Sequence, residues 1–270
     1  MSGRSSARRM CEIHYHLLYD LDDGPRTIEE SIALAEASIA EGVTHIVCTP
    51  HANNTWSFNS ELCRSEIELL NEHVGDRLTL GLGCDFHLTH HNIEDLHRNR
   101  SKYTINGKQY LLVELPDYGI APDMSDVFQR MVASGIIPII THPERNQTLV
   151  IDSSRLDDWM SLGCLVQITA ASLLGRFGQK AETMAFRLLA QNCAHVIASD
   201  AHSIARRPPS MSLAHAAVKD RFEQEVADRL CIHNPRAVFY GEDLPAQPTP
   251  RPSTEEPKRR IWPFGHVRKH

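Results

Sequence analysis

Two histidines near the start of the chain, His14 and His16, have the spacing of half a metal site. They lie at the end of a short apolar segment, residues 11–14, that is typical of a β-strand. Residues two apart in an extended strand point to the same face, so the two imidazoles project together. Two imidazoles on one face can bind a divalent metal ion. The alternative is a pair of partly exposed histidines in a chain that contains 16 of them, because short motifs also occur by chance.

Further side chains that can bind metal follow the later predicted strands: His51, Asp85, Glu114, His142, Asp200 and His202. Six of the seven predicted strands end in such a residue. This regular placement, more than any single motif, indicates a multinuclear metal centre. Other roles stay open for single residues. The two histidines His51 and His142 could bond to the backbone, and Asp85 could cap a helix. A buried Glu114 needs a partner, which could be an arginine instead of a metal.

The elements that must position these residues are apolar strands that alternate with amphipathic helices. One helix has a clear start at Thr27-Ile28-Glu29-Glu30, a capping-box pattern, and an end at Gly42. This alternation predicts parallel strands with helices outside, and such sheets carry their chemistry at the carboxyl ends of the strands. The predicted strands cover residues 11–14, 45–48, 78–84, 110–113, 136–140, 165–168 and 195–198.

Composition excludes several classes of protein. The 270 residues are 41% hydrophobic and carry a net charge of −6, which fits one large α/β domain without a nucleic-acid-binding surface. The seven cysteines form no C-x-x-C pair, and none is followed by arginine six positions later. A reduced, cytoplasmic location is therefore expected, and a cysteine-nucleophile tyrosine phosphatase is not. No phosphate-binding Gly-rich loop or Gly-x-Ser-x-Gly elbow occurs.

Both ends of the chain differ from its body. Residues 1–10 are predicted to be a disordered leader, residues 11–242 the folded α/β domain with the metal-binding residues, and residues 243–270 a Pro-rich, basic and disordered tail. The segment from Arg251 to His270 carries a net charge of +4 and includes Trp262 and Phe264. A weak contact with an anionic membrane or an acidic partner is one interpretation of this tail. A solvated tail without such a role is the other.

The motifs together resemble the polymerase-and-histidinol-phosphatase (PHP) superfamily, and within it the bacterial manganese-dependent protein-tyrosine phosphatases of capsule and exopolysaccharide operons. The resemblance covers about residues 11–242. It is carried by the following motifs, in this order along the chain: His14-Tyr15-His16, Asp22-Asp23-Gly24-Pro25, Thr49-Pro50-His51, Leu112-Val113-Glu114, Thr141-His142-Pro143-Glu144-Arg145-Asn146, Gln167-Ile168-Thr169-Ala170, Ser172-Leu173-Leu174-Gly175 and Ser199-Asp200-Ala201-His202.

This resemblance implies a fold, a set of ligands and two phosphate-binding residues. The fold would be a distorted (β/α)7 TIM-like barrel of the PHP type with two or three divalent ions at its mouth; Mn²⁺ is expected, with Fe or Zn as alternatives. Arg145 and Arg207 would hold the substrate phosphate, although each could instead be a surface cation or pair locally. The implied metal ligands are His14, His16, His51, Asp85, Glu114, His142, Asp200 and His202.

The sequence departs from the family pattern at two positions. Asp85 stands where the family usually has Glu, and Glu12 where it usually has Asp. Glu12 is therefore left outside the ligand set. Two further groups are expected to have no part in metal binding: Asp22 and Asp23 would shape a turn, and the four histidines His87, His90, His91 and His97 would face solvent.

The implied function is hydrolysis of phosphotyrosine by metal-activated water, acting on a tyrosine kinase of polysaccharide biosynthesis or export. One alternative is a small-molecule phosphoesterase such as a histidinol-phosphate phosphatase. The other is a non-catalytic metal-binding scaffold whose site has decayed, for which Asp85 is the only support. The sequence leaves the oligomeric state open.

Overall fold

A computed structural model describes residues 9–116 and 119–251 of the chain. Nine strands, all paired in parallel, form the centre of the described structure. They are β1 (Met10–Tyr15), β2 (Val43–Cys48), β3 (His51–Ala52), β4 (Thr79–Leu82), β5 (Asp85–His87), β6 (Tyr110–Glu114), β7 (Ile137–Thr141), β8 (Leu165–Thr169) and β9 (Val196–Ala198).

The nine strands occupy seven positions, because β3 continues β2 and β5 continues β4 after short breaks. One sheet has the order β1-β2-β4 and the other the order β3-β5-β6-β7-β8-β9. The last position meets the first, where Tyr15 and Ala201 form a parallel bridge. There the backbone N–H of His16 donates to the Ala201 carbonyl at 2.9 Å, and that of Asp200 to the His14 carbonyl at 3.0 Å. The prediction of a distorted, seven-stranded, TIM-like fold is confirmed.

Helices follow the strands and cover the outside of the strand layer. The first begins as predicted: Thr27 accepts a hydrogen bond from the Glu30 backbone N–H, and Gly42 ends the helix in the left-handed region at φ 93°. The α-helices are α1 (Ile28–Glu41), α2 (Ser60–Val74), α3 (His90–Arg98), α4 (Arg100–Tyr103), α5 (Met124–Ala133), α6 (Gln147–Ile151), α7 (Ser154–Ser161), α8 (Ala170–Leu173), α9 (Gln179–Ala190), α10 (Met211–Arg221), α11 (Gln224–Asp228) and α12 (Asn234–Tyr240). Gly75–Arg77, Ile105–Gly107 and Pro143–Arg145 are 3₁₀ turns, and Arg229–His233 is a π-helical turn.

Two separate apolar clusters form the core. The larger one lies between strands and helices and includes the fully buried Trp159 and Phe128, whose rings meet edge to face. The smaller one gathers alternate residues of the strands, among them Ile13, Val47 and Ile139. Since alternate strand residues share a face, this smaller cluster is the packed interior of the barrel.

The segment that follows the barrel covers the amino ends of the strands. Phe239 of α12 joins the interior cluster, and the Tyr240 hydroxyl lies 2.8 Å from a ring nitrogen of His45 near the start of β2. The Tyr110 hydroxyl, at the start of β6, donates to the Glu242 carbonyl at 2.7 Å. Barrel interior and C-terminal segment therefore form one packed unit.

The structure also bears on the predicted ends of the domain. Met10 is already the first residue of β1. Residues 243–251 follow the surface of the domain: the Arg251 N–H donates to the Gln191 carbonyl at 2.8 Å, and the Asn192 side chain to the Thr249 carbonyl at 3.1 Å. The rest of the predicted tail, residues 252–270, and residues 1–8 of the predicted leader lie outside the described residues.

Candidate metal and phosphate site

The side-chain alternation that fills the barrel with apolar residues places polar residues at its carboxyl end. Along β6, Leu112 lies in the interior cluster, and Glu114 is the next residue with the same orientation. Along β9, Ala198 is followed in the same way by Asp200. One strand period therefore separates the dry interior from a carboxylate at the mouth.

The mouth brings together all eight predicted metal ligands. Four overlapping groups of side chains each offer ligand atoms that lie within 4.8 Å of one another. The groups are His16, Asp23, His51 and His202; His51, Asp85, His87 and Glu114; His14, His16 and Asp85; and His14, His142 and Asp200.

His14 and His16 are held so that one nitrogen of each faces the centre. His14 Nδ1 lies 3.0 Å from Gln167 Oε1, and His16 Nδ1 lies 2.6 Å from Asp22 Oδ2. A histidine that donates through Nδ1 keeps its lone pair on Nε2. The two Nε2 atoms then lie 3.4 Å apart, at 3.4 and 3.5 Å from Asp200 Oδ1. Lone pairs that face each other beside a buried carboxylate are an arrangement that a shared cation would stabilise.

Asp85 and Glu114 form a second place where a cation fits. Both Asp85 oxygens, Glu114 Oε2 and His51 Nδ1 are buried without a well-formed hydrogen bond, although His51 Nδ1 lies 3.0 Å from Asp85 Oδ2 and His87 Nε2 contacts Glu114 Oε2. Burying unpaired carboxylates costs several kcal/mol unless a proton or a cation compensates them. The donor set consists of imidazole nitrogens and carboxylate oxygens without thiolate, which suits Mn, Fe or Zn ions. The residues present therefore fit a divalent metal centre.

The ionisation of the two carboxylates follows from this crowding. Burial, and then the Glu114 charge, raises the pKa of Asp85 well above its ordinary range. Burial also acts to raise the pKa of Glu114, but His87 and His142 outweigh it and hold that pKa below its ordinary range. Burial lowers the pKa of both His14 and His202 to about 4. These histidines stay neutral at pH 7, which is the form that binds metal.

Two arginines reach the same carboxylate. Arg145 Nη1 lies 2.6 Å from Asp200 Oδ2, and Arg207 contacts that oxygen through Nη2. Arg207 Nη1 also lies 2.9 Å from His202 Nε2. Arg145 further lies over the ring of Phe177, 4.4 Å from its centroid. Both guanidinium groups therefore lie at the edge of the metal-binding groups, about one quarter exposed.

Backbone strain occurs at two of the strand ends in the site. His142 and Asp200 have φ angles of 35° and 53°, which non-glycine residues seldom adopt. Such strain persists where the surroundings fix it and is common at functional sites. Glu144 helps to fix this region: its buried carboxylate accepts from the Thr169 N–H at 2.9 Å and from the Ser172 hydroxyl at 2.7 Å.

With this geometry established, the family can be assigned. The chain matches the family model described as "Capsular polysaccharide synthesis, CpsB/CapC" over residues 10–240. The chain belongs to this CpsB/CapC family.

Other members of the family match this chain along most of their own length. CapC of Staphylococcus aureus is 40% identical over 203 residues, which are 74% of this chain and 79% of CapC. The tyrosine-protein phosphatase CpsB of Streptococcus pneumoniae is 30% identical over 242 residues, 86% of this chain and 99% of CpsB. A solved structure from a study of YwqE from Bacillus subtilis and CpsB from S. pneumoniae, described there as unique metal-dependent tyrosine phosphatases, superposes with a TM-score of 0.84 at 27% identity. It covers 91% of this chain and 100% of that structure. The predicted resemblance is confirmed.

The contacts of three residues bear on roles that the sequence of this family member left open. Asp85 lies within β5 and faces His51, so it is not a helix cap. Glu114 contacts His51, His87 and His142 through its carboxylate. Arg145 hydrogen-bonds Asp200, although Glu144 is its sequence neighbour.

Sequence reasoning missed two residues. His87 was expected to face solvent, but its ring contacts Glu114 and its side chain is only 26% exposed. Asp23 was expected to shape a turn only, but its Oδ1 lies 3.3 Å from His51 Nε2 and 3.2 Å from His202 Nε2. The i, i+2 spacing of Asp85 and His87 on β5 was a usable signal for His87. No local signal existed for Asp23, because its partners are far away in sequence.

Other expectations for the polar residues agree with the structure. His90, His91 and His97 are exposed. Asp22 shapes the turn by accepting from the Gly24 N–H at 2.9 Å, and it also holds His16. Glu12 is buried and accepts from the Ser199 N–H at 2.8 Å, and its exclusion from the ligand set stays a prediction.

The cysteines of this chain do not supply a nucleophile to the site. All seven cysteines are buried, and burial raises the pKa of Cys11, Cys48 and Cys84 well above the ordinary range of a thiol. A cysteine thiolate is therefore not available as a nucleophile at the mouth.

Among the described residues, no helix combines the length and the apolar character that crossing a membrane requires.

Proposed function

We propose that this protein is a metal-dependent protein-tyrosine phosphatase. The observation that carries the proposal is the convergence of Arg145 and Arg207 on Asp200, at the edge of the overlapping His/carboxylate groups. Family membership supports it, since the relative CpsB is named as a tyrosine-protein phosphatase.

The chain's own residues would act as follows. His14, His16, His51, Asp85, Glu114, His142, Asp200 and His202 would hold two or three divalent ions, with Mn²⁺ as the expected metal. When bound, such ions would lower the pKa of water and offset the negative charge on the phosphoryl oxygens. Arg145 and Arg207 would turn from Asp200 to the phosphate, which their planar guanidinium groups grip through paired hydrogen bonds.

Two further features favour phosphotyrosine as the substrate. The leaving group is a phenol with a pKa of about 10, which departs more easily than an alkyl alcohol. Phe177, 37% exposed and in contact with Arg145, offers an aromatic surface beside the phosphate-binding groups. A tyrosine kinase of polysaccharide biosynthesis or export would be the protein partner, because the family is described by capsular polysaccharide synthesis.

The test is phosphate release from a phosphotyrosine peptide and from histidinol phosphate, with and without added Mn²⁺. We expect metal-dependent release from the peptide, a kcat/KM well above that for histidinol phosphate, and loss of both rates in His142→Ala. Preference for histidinol phosphate would replace the proposal with a small-molecule phosphoesterase. A folded protein that holds less than one ion per chain and releases no phosphate would favour a scaffold role.

A further inference from the structure

We propose that His87 is a metal ligand in this chain, and that it completes a four-ligand site with His51, Asp85 and Glu114. The proposal rests on the metal centre of the proposed function, but it concerns a residue outside the eight predicted ligands. His87 would supply the second imidazole of this site.

Strand register places the four residues in two adjacent rows of the sheet, His51 with Asp85 and His87 with Glu114. Asp85 and His87 are two apart on β5, so their side chains share a face of the sheet. Across the neighbouring strands, His51 of β3 is the register partner of Asp85, and Glu114 of β6 is the register partner of His87. The backbone itself therefore brings two imidazoles and two carboxylates side by side.

The ligand atoms of these side chains point at one another. His87 Nε2 contacts Glu114 Oε2, and His51 Nδ1 lies 3.0 Å from Asp85 Oδ2 and 3.6 Å from Glu114 Oε2. All four ligand atoms lie within 4.8 Å of one another, which is the spacing of groups around one ion. The His51 and His87 rings meet edge to face, with centroids 5.5 Å apart.

These close contacts do not have the geometry of well-formed hydrogen bonds. His51 Nδ1, Asp85 Oδ2, His87 Nε2 and Glu114 Oε2 are all buried without such a bond, and the Asp85 side chain is 1% exposed. Buried polar atoms in folded proteins are almost always well hydrogen-bonded, so four crowded atoms that are not indicate a place that a cation would satisfy. Two imidazoles and two carboxylates are a four-ligand set that a tetrahedral Zn site can use, and imidazole and carboxylate ligands also suit Mn and Fe.

The competing explanation is a purely structural ion pair between a protonated His87 and Glu114. That pair would stabilise the metal-free protein and leave the number of bound ions unchanged when His87 is replaced. A ligand role predicts the reverse, because a lost ligand weakens metal binding directly.

The experiment counts ions in the full-length protein and two variants. His87→Gln removes the imidazole, and His90→Gln is the matched control, since His90 lies nearby on α3 with its side chain 89% exposed. Each protein is stripped with chelator and titrated with Mn²⁺ by calorimetry, and bound metal is measured by elemental analysis. We expect His87→Gln to bind one ion fewer, or one ion at least about tenfold more weakly, while His90→Gln matches the wild type.

A second variant guards against a general loss of structure. His87→Cys places a thiolate in the same position, and we expect it to recover the ion count with Cd²⁺ and to show thiolate-to-metal charge-transfer absorption. Unchanged ion count and affinity in His87→Gln, or His87→Cys without this absorption, would overturn the proposal. These measurements of metal binding do not depend on catalysis. If His87→Gln binds metal like the wild type and the wild type hydrolyses phosphotyrosine, only the His87 role is rejected. If His87→Gln loses an ion as expected but the wild type shows no hydrolysis, only the proposed function is rejected.

Discussion

The two ends of the barrel differ in how their buried polar groups are satisfied. At the amino end, Asn106 accepts from the Leu82 N–H and donates to the Phe239 carbonyl. Asn234 donates to the His195 carbonyl at 2.7 Å and exchanges hydrogen bonds with Gln247. At the carboxyl end, Asp85 and its neighbours are buried with unpaired atoms. The amino end is therefore built for stability, and the carboxyl end keeps its donors and acceptors for a ligand.

This contrast gives expectations that separate activity from stability. Changes at the carboxyl end should reduce turnover and leave the free energy of unfolding almost unchanged. Changes at the amino end should do the opposite.

Arg207→Gln should have the largest effect, and on activity alone. The substitution removes a guanidinium from the phosphate-binding edge, and losing one such donor typically reduces kcat by about 10²–10³-fold. Steady-state kinetics on a phosphotyrosine peptide measures this. The matched control is Arg206→Gln, whose parent side chain is exposed beside it. Equal kinetics for the two variants would show that Arg207 does not contact the phosphate.

His195, just before β9 at the amino end, should make stability fall at acid pH. Burial, and then the Arg229 charge, lowers its pKa to about 4, and its Nδ1 accepts from the Val166 N–H at 3.1 Å. Between about pH 6.5 and 4 the unfolded chain binds a proton that the folded chain does not, so stability is lost as the pH falls through this range. The contribution reaches about 3 kcal/mol.

The measurement is urea unfolding of the wild type and His195→Gln at several pH values between 7.5 and 4.5. We expect the free energy of unfolding to fall less steeply in the variant, by about 2–3 kcal/mol over this range. Parallel curves for the two proteins would mean that His195 takes up its proton equally in both states.

Asn234→Ala should destabilise the protein without changing its chemistry. The substitution removes the hydrogen bond to the His195 carbonyl and both hydrogen bonds to Gln247, whose side chain keeps its bond to the Pro245 carbonyl, at a cost of about 1–3 kcal/mol. Unfolding in urea measures the loss, and kcat on the peptide should stay close to the wild-type value. A strong loss of kcat in the folded variant would break the division between the two ends.

Gln247→Ala should have the smallest effect. Residue 247 belongs to the segment that was predicted to be a tail, yet its side chain bonds Asn234 on both the donor and the acceptor side. The loss of these bonds at a partly exposed position should cost about 1 kcal/mol. Glu242→Ala is a suitable control, because residue 242 bonds Tyr110 and Ala237 through its backbone, which the substitution keeps. Equal stability of both variants would assign residue 247 to a tail that does not contribute to the domain.

Much of the site follows from the sequence because its ligands sit at strand ends. The side-chain period of two and the parallel pairing of the strands bring Glu114 and Asp200 to one edge of the sheet, whatever the details of packing. For the same reason the apolar interior could be read from alternate residues such as Ile139. The eight ligands lie together in the structure, and their binding of metal stays a prediction.

The sequence by itself determined the strand–helix order, the family motifs and the set of candidate ligands at the strand ends, since these depend on local patterns. Only the tertiary structure decided which residues far apart in the chain meet: Asp23 with His202, His87 with Glu114, and both arginines with Asp200. Such contacts depend on how loops of no fixed periodicity fold over the barrel mouth, and on the cross-strand register. Neither can be obtained from spacing along one segment.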